Sequence, residues 1–444
     1  MSAASAARRV DPALEIVVLE SGGYAAYGMC GLPYYLGGVV ARADDLLAYP
    51  PAYFREKRRI DLRLHTRVTR LDAERHVVHY RDVGRHPEDG RESRLGYQQL
   101  IVTTGGTPSL PPVPGLDSPG VFTVRTLEDA ITLRSLLDAG RLGRVLVVGA
   151  GYIGLEMAEA LVARGVAVTV AEVLLAVLPH LDRPIAALVE EEVRRNGVDL
   201  RLGTRLDGVS RTADGLEASL DGRVLPVDAV VVASGVRAAA GVATEAGAAT
   251  GPAGALLVDD QMRTSLPDVF AAGDCTAVYH RVLAGAAFVP LGPAANKTGR
   301  VAGTVAAGGD ARFPGVVGTA VVKVFDLAVA STGLSLAAAE VAGLPAVATD
   351  VLGRSRAKYH PGAEPVTARL VHERGGRVLG AQLVGAGDGV AKRIDVVAVA
   401  LQAGFGVADL AALDLSYAPP YAPVYEPILL AAQAAAWRGA PVGA

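Results

Sequence analysis

Two short runs hold residues whose types could do chemistry. In Gly28-Met-Cys-Gly-Leu-Pro33 a cysteine stands between glycines, just ahead of a proline-opened helix start. Backbone N–H groups at a helix N-terminus favour negative charge, so this position predicts a Cys30 thiol with lowered pKa. The other cysteine, Cys275, is remote in the sequence, and no cysteine near Cys30 could form a local dithiol. A lone reactive cysteine must exchange with an external disulfide or cycle through sulfenic acid. The alternative, an inert packed cysteine, suits Cys275 beside Asp274 better.

The second run is Gly149-Ala-Gly151-Tyr152-Ile153-Gly154. A buried strand is predicted over 144–148, a helix over 155–164 and a second strand over 166–171 that ends on Glu172. The first glycine permits the turn, the second lets backbone N–H groups approach a pyrophosphate, and the third packs helix on strand. This predicts a dinucleotide site. Glu172 is expected to bond a ribose 2′-hydroxyl and repel a 2′-phosphate, and Val173-Leu174-Leu175 offers no arginine to receive one, so NADH is expected over NADPH.

The elements that position these residues follow from the whole chain. Its 444 residues, 51% apolar with a formal net charge of −3, suffice for about three domains. There is no basic stripe for nucleic acid, no apolar run long enough for a membrane span and no signal-peptide pattern. A cytoplasmic protein without nucleic-acid, membrane or metal partners is expected. The chain opens on an alanine-rich helix ending near Arg8-Arg9, broken by Asp11-Pro12 and followed by a strand over 15–20 that closes on Glu20. The offset between Gly154 and Glu172, counted back from Glu20, lands on Ser2 rather than on a glycine. A first strand and glycine turn are therefore expected upstream of Met1. Runs 99–106, 228–235 and 268–274 read as buried parallel strands entering glycine turns, whereas 316–334 and 366–387 alternate like antiparallel strands in a separate α+β domain.

Six motifs together give the chain a resemblance to the flavin-dependent pyridine nucleotide-disulfide oxidoreductases. They are Tyr27-Gly-Met-Cys-Gly-Leu-Pro-Tyr-Tyr35, Thr103-Thr-Gly-Gly-Thr-Pro108, the turn at 149–154, Ala271-Ala-Gly-Asp-Cys275, Pro290-Leu-Gly-Pro-Ala-Ala-Asn-Lys-Thr-Gly299 and Tyr417-Ala-Pro-Pro-Tyr421. The match is to the single-cysteine branch of coenzyme A-disulfide reductases, NADH oxidases and NADH peroxidases. It implies an α/β fold with two Rossmann-like dinucleotide-binding domains and a C-terminal α+β dimerisation domain. The implied FAD-binding domain is discontinuous, 1–112 and 238–312, with the NAD(P)H-binding domain at 113–237 and the dimerisation domain at 313–444.

The resemblance implies FAD and NADH as cofactors, with NADPH disfavoured. The implied cofactor-binding residues are Glu20, Thr103, Thr104, Gly105, Gly149, Gly151, Tyr152, Ile153, Gly154, Glu156, Glu172, Gly235, Asp274, Pro290 and Leu291. Glu20 resembles the acid that holds the adenosine ribose, and Asp274 the one that bonds the flavin ribityl chain. Catalysis falls to Cys30, with Tyr359 and Tyr421 reaching the site from the partner of a homodimer. The implied reaction passes hydride from NAD(P)H through flavin to Cys30, which reduces a small disulfide or persulfide such as coenzyme A disulfide. The alternatives are an NADH oxidase or peroxidase cycling through a Cys30 sulfenic acid, and a flavin-free, inactive nucleotide-binding dimer. Two departures stand out: Ala26 and Met29 replace the Ser and Asn usual ahead of the cysteine in coenzyme A-disulfide reductases, and Val236-Arg-Ala-Ala-Ala240 replaces the usual Arg-Pro-Asn after Gly235.

Overall fold

The computed structural model describes residues 1–84, 92–213, 215–374 and 376–439. The tail of the expected dimerisation domain, 440–444, lies outside the described residues. The first helix, Ser2–Val10, buries Ala3, Ala4, Ala6 and Ala7. It packs on the helix Gly292–Ala306 so closely that a Cβ at Gly303 would collide with the Ala3 carbonyl. The Arg8 guanidinium pins the helix end, donating to the carbonyls of Arg58, Pro12, Leu14 and Arg59 over 2.6–3.0 Å.

Beyond it, Val17–Leu19 pairs in parallel with Asp61–Arg63, and Leu100–Val102 pairs in parallel with Val269–Ala271. The Rossmann-like reading calls for one sheet here. Among the described residues no strand joins the two pairs, so Val17–Leu19 and Leu100–Val102 each keep one edge free of a backbone ladder.

The middle of the chain holds one five-stranded parallel sheet, ordered 199–202, 167–172, 144–148, 229–232, 121–122. Its central strand is buried from Val145 to Val148, as a strand covered on both faces must be. The helix Leu127–Asp138 opens on a capping box in which the Thr126 and Asp129 side chains each accept from the other's backbone N–H. A strand at 106–108 pairs antiparallel with 236–238, so the two chain crossings into this unit run side by side. The C-terminal unit is a five-stranded antiparallel sheet ordered 320–324, 327–333, 378–386, 365–373, 346–354, with the helices Gly389–Ala403 and Pro427–Gly439 packed on it.

The parallel sheet's unit is tied to that C-terminal sheet by buried polar contacts. Asp182 N–H donates to Gln382 Oε1 at 2.9 Å, Gln382 Nε2 donates back to the Asp182 carboxylate at 3.2 Å, and Arg369 reaches the same carboxylate at 3.3 Å. Glu159 pairs with Lys323 and accepts from Phe325 N–H at 2.7 Å. No helix among the described residues is long and apolar enough to cross a membrane.

Candidate active site at the Cys30 turn and the 149–154 glycine turn

The glycine turn is built as its residue types require. Gly149 has φ +105°, and a Cβ there would come within 2.5 Å of the Ala233 carbonyl oxygen. A Cβ at Gly154 would collide with the Gly149 carbonyl, so the helix can rest on the turn only without one. Gly151, by contrast, faces open space and caps the helix Tyr152–Val162. An unfilled approach to helix N-terminal N–H groups is the cradle a pyrophosphate needs. The helix begins three residues earlier than its pattern suggests, so Tyr152 and Ile153 belong to its first turn.

Glu172 ends the neighbouring strand and is buried, 7% exposed. Its carboxylate accepts from Ala150 N–H at 2.7 Å and Leu174 N–H at 2.9 Å, which fixes it beside the turn. Val173 and Leu175 beyond it are exposed. The Tyr152 hydroxyl meets His180 Nε2 at 2.6 Å. Burial pushes the Tyr152 phenol up to about 12, opposed by a hydrogen bond with Ser331, and pushes His180 down to about 4. Gly235, with φ +111°, faces open space, and its carbonyl accepts from Ser109 N–H at 2.8 Å.

Around the two strand pairs, Glu20 Oε1 accepts from Gly22 N–H at 2.6 Å. Thr103 and Thr104 are exposed where the chain leaves Leu100–Val102; Thr104 donates to the Ala239 carbonyl at 2.6 Å, and Gly105 takes φ +71°. Asp274 pairs with Arg125 at 3.3 Å. Leu291 caps the helix Gly292–Ala306, and Pro290 is exposed before it. As a donor set, two strand-end carboxylates for hydroxyls and a helix N-terminus for phosphate fit the ribose, ribityl and phosphate groups of a flavin dinucleotide.

Cys30 sits exposed in the turn Met29–Gly31, ahead of the helix Leu32–Gly37. Its expected depressed pKa is corrected here. Partial burial pushes the thiol up, the Glu156 and Asp274 carboxylates push it further, and only a backbone hydrogen bond and Arg125 oppose them. A helix of six residues supplies too little dipole to outweigh burial and two carboxylates. The Leu32–Gly37 helix packs on Tyr152–Val162, where a Cβ at Gly37 would stand 3.3 Å from Ala160 Cα. Burial and the negative charges of Glu156 and Glu159 push the Tyr34 phenol up, and Glu156 acts likewise on Cys30. Cys275 is fully buried, with its thiol on the Ala272 and Val102 carbonyls.

Burial, Glu156 and Asp274 thus all act to raise the pKa of the Cys30 thiol. Tyr359 and Tyr421 lie on the C-terminal unit: both are exposed, at 76% and 82%, on loops joined by Ala357 N–H donating to the Pro419 carbonyl. Neither acts on the Cys30 thiol of its own chain. Sequence reasoning missed Arg125, which joins Asp274 to the cysteine's surroundings. Its signal is its place immediately before the Thr126-x-x-Asp129 capping box, which fixes where the chain enters the helix.

Residues 1–301 match the family described as pyridine nucleotide-disulphide oxidoreductase, and residues 319–427 match its dimerisation domain. The chain belongs to the pyridine nucleotide-disulphide oxidoreductase family. Within it, the chain is 34% identical to an NADH oxidase of Methanocaldococcus jannaschii over 98% of this chain and 95% of that protein. It is also 34% identical to a CoA-dependent NAD(P)H sulfur oxidoreductase of Pyrococcus furiosus, over 98% and 96%. Among solved structures, an NAD-dependent persulfide reductase from A. fulgidus superposes with a TM-score of 0.92 at 40% identity, covering 98% of this chain and 80% of that one. The α/β fold with a C-terminal dimerisation domain is the arrangement of this oxidoreductase family.

Proposed function

We propose that the chain is an FAD-dependent oxidoreductase, a homodimer, that takes hydride from NADH and reduces a small disulfide or persulfide such as coenzyme A disulfide at Cys30. The observation that carries this reading is an exposed cysteine, with no second one beside it, in the turn that leads into the Leu32–Gly37 helix, which packs on the helix that starts at the nucleotide turn. Flavin, when bound, supplies the two-electron link between nicotinamide and sulfur. The chain's own residues do the rest. Gly151 and the helix start receive the NADH pyrophosphate, and Glu172 takes the adenosine ribose and disfavours NADPH. Glu20, the 103–105 loop, Asp274 and the 290–292 helix start hold FAD. Cys30 attacks one sulfur of the substrate and releases the other as a thiol.

Tyr359 and Tyr421 serve the partner's site, where a phenol O–H can donate to developing thiolate. Their exposure on the C-terminal domain supports this. The second reading, an NADH oxidase, is favoured by the same single cysteine, which can alternate between thiol and sulfenic acid when oxygen is the acceptor.

The test is Cys30→Ser, with coenzyme A disulfide and oxygen as alternative acceptors. Flavin reduction by NADH should persist while disulfide turnover falls at least about a hundredfold. Mixing this variant with a Tyr359→Phe/Tyr421→Phe chain should restore activity, because one site of each heterodimer then carries neither lesion. Undiminished disulfide turnover in Cys30→Ser would overturn the reading.

A further inference from the structure

The two tyrosine-bearing loops of the C-terminal unit are joined at their roots by one side chain. Loop 355–364 connects the paired strands Ala346–Arg354 and Pro365–Glu373. Its neck is closed, with Ser355 N–H donating to the Glu364 carbonyl at 2.8 Å and Glu364 N–H donating to Ser355 Oγ at 3.0 Å. The run 413–426, which contains no helix or strand among the described residues, carries Tyr421 and ends on Glu426, just before the helix Pro427–Gly439. Arg393, on the helix Gly389–Ala403, reaches both. Its Nη2 donates to the Ser355 carbonyl at 2.8 Å, and its Nε donates to Glu426 Oε1 at 2.6 Å. The other oxygen of Glu426 accepts from Ile428 N–H at 2.7 Å, at the start of the following helix.

Arg393 and Glu426 are both buried. Apolar side chains of similar volume often serve stability as well as a buried ion pair does, so stability alone is a weak reason for one, whereas fixing a single arrangement is a use such pairs can have. What is fixed here is the spacing of two loop roots. A planar guanidinium holds two acceptors at a set angle, which an ammonium on a flexible stem does not. Closer to the loop tips the direct backbone tie is longer, with Ala357 N–H donating to the Pro419 carbonyl at 3.3 Å, and beyond it Tyr359 and Tyr421 stand exposed.

We propose that Arg393 is a positioning residue for Tyr359 and Tyr421, holding their loops at the spacing from which both phenols reach the partner's site. The proposal rests on the reading given above that these tyrosines serve that site. Arg393 acts through the loops and not on the substrate. A catalytic group misplaced by about 1 Å can cost about a hundredfold in rate, so loosening the roots should be felt even though both phenols remain. Because the tyrosines work in trans, a lesion at Arg393 should also behave as a lesion in trans.

Arg393→Lys keeps the charge and loses the fork. In the holoenzyme, turnover of coenzyme A disulfide should fall about tenfold or more, while flavin reduction by NADH keeps the parental rate. Arg393→Gln, which leaves Glu426 on its helix N–H, should show the same pattern; if it does not fold, the lysine variant carries the test. Heterodimers isolated on two different affinity tags then separate positioning from folding. Arg393→Lys paired with Cys30→Ser should regain about half the parental turnover, because one site has its cysteine and is served by intact loops. Arg393→Lys paired with the Tyr359→Phe/Tyr421→Phe chain should regain none, because each site is then served by a damaged pair. If Tyr359→Phe/Tyr421→Phe recovers with Cys30→Ser but Arg393→Lys keeps parental turnover, or loses it without recovery, this proposal fails while the trans role of the tyrosines stands. If the tyrosine variant does not recover with Cys30→Ser, that reading fails first and the proposal falls with it.

Discussion

The two strand-end acids, Glu172 and Glu20, show what a glycine turn does for a dinucleotide site. Each accepts from the N–H two residues onward, Leu174 at 2.9 Å and Gly22 at 2.6 Å, because that bond is local to the strand end. Only Glu172 has a second bond, from Ala150 N–H inside the 149–154 turn, and only Glu172 is fully buried. Glu20 is half-buried, and among the described residues no glycine-turn N–H like Ala150's donates to it. The acid's orientation is thus half a property of its own strand and half a property of the turn it faces. The same contrast holds one level up: among the described residues, 144–148 lies central in a five-stranded sheet, whereas Val17–Leu19 has a single partner strand.

The most severe way to break the better-ordered half is Gly149→Val. It places a branched side chain at φ +105° and against the Ala233 carbonyl, adding about 1–3 kcal/mol of backbone strain to a steric clash. Reduction of bound flavin by NADH should fall at least about a hundredfold, with flavin content unchanged, since the lesion lies in the nucleotide turn alone. Stopped-flow bleaching of the flavin absorbance checks this. Flavin lost together with NADH binding would mean the two halves are not separable.

A smaller effect is expected from Glu172→Ala combined with Val173→Arg. The first change removes the ribose acceptor, and the second offers a guanidinium from an already exposed position, so the added side chain needs no room in the core. The kcat/KM ratio of NADPH to NADH should rise about 10- to 100-fold, on the order of 1.4–2.8 kcal/mol. An unchanged ratio would show that the acid is only structural.

How much of this was legible follows the same division. The 144–172 unit could be read because its periodicity, glycines and trailing acid are local, and only the helix start was misplaced, since Tyr152 and Ile153 look like turn residues until the Gly151 cap is seen. The antiparallel pattern of the C-terminal sheet was also visible, but its edge strand 346–354 was not, because it alternates weakly and is paired on one side only. The small sheet over 206–227 was missed for a related reason: its residues are mixed in polarity and its pairing is hairpin-local. Cys30 was found by its neighbours in sequence, yet its electrostatics were misjudged. The helix N-terminus is local information, whereas the burial of the thiol and the charges of Glu156 and Asp274 depend on distant segments and push its pKa up.

The smallest predicted effect tests how tightly the 149–154 turn is held from outside. Tyr152, at the first helical position, bonds His180, and burial holds that imidazole at about 4 in the folded chain against about 6.5 for an ordinary histidine. The folded-state value is the lower one, so between these limits the unfolded chain binds the extra proton. Stability must then fall as pH drops from about 6.5 towards 4 and level off below that. Because His180 keeps contact with solvent, the loss is well short of what a fully buried imidazole would give. His180→Asn can still pair with the phenol and does not titrate, so its urea midpoint should decline less than the parent's over that interval and match it more closely near pH 4. Parallel decline in both proteins would place the acid sensitivity elsewhere, and the turn would then owe its geometry to its glycines and Glu172 alone.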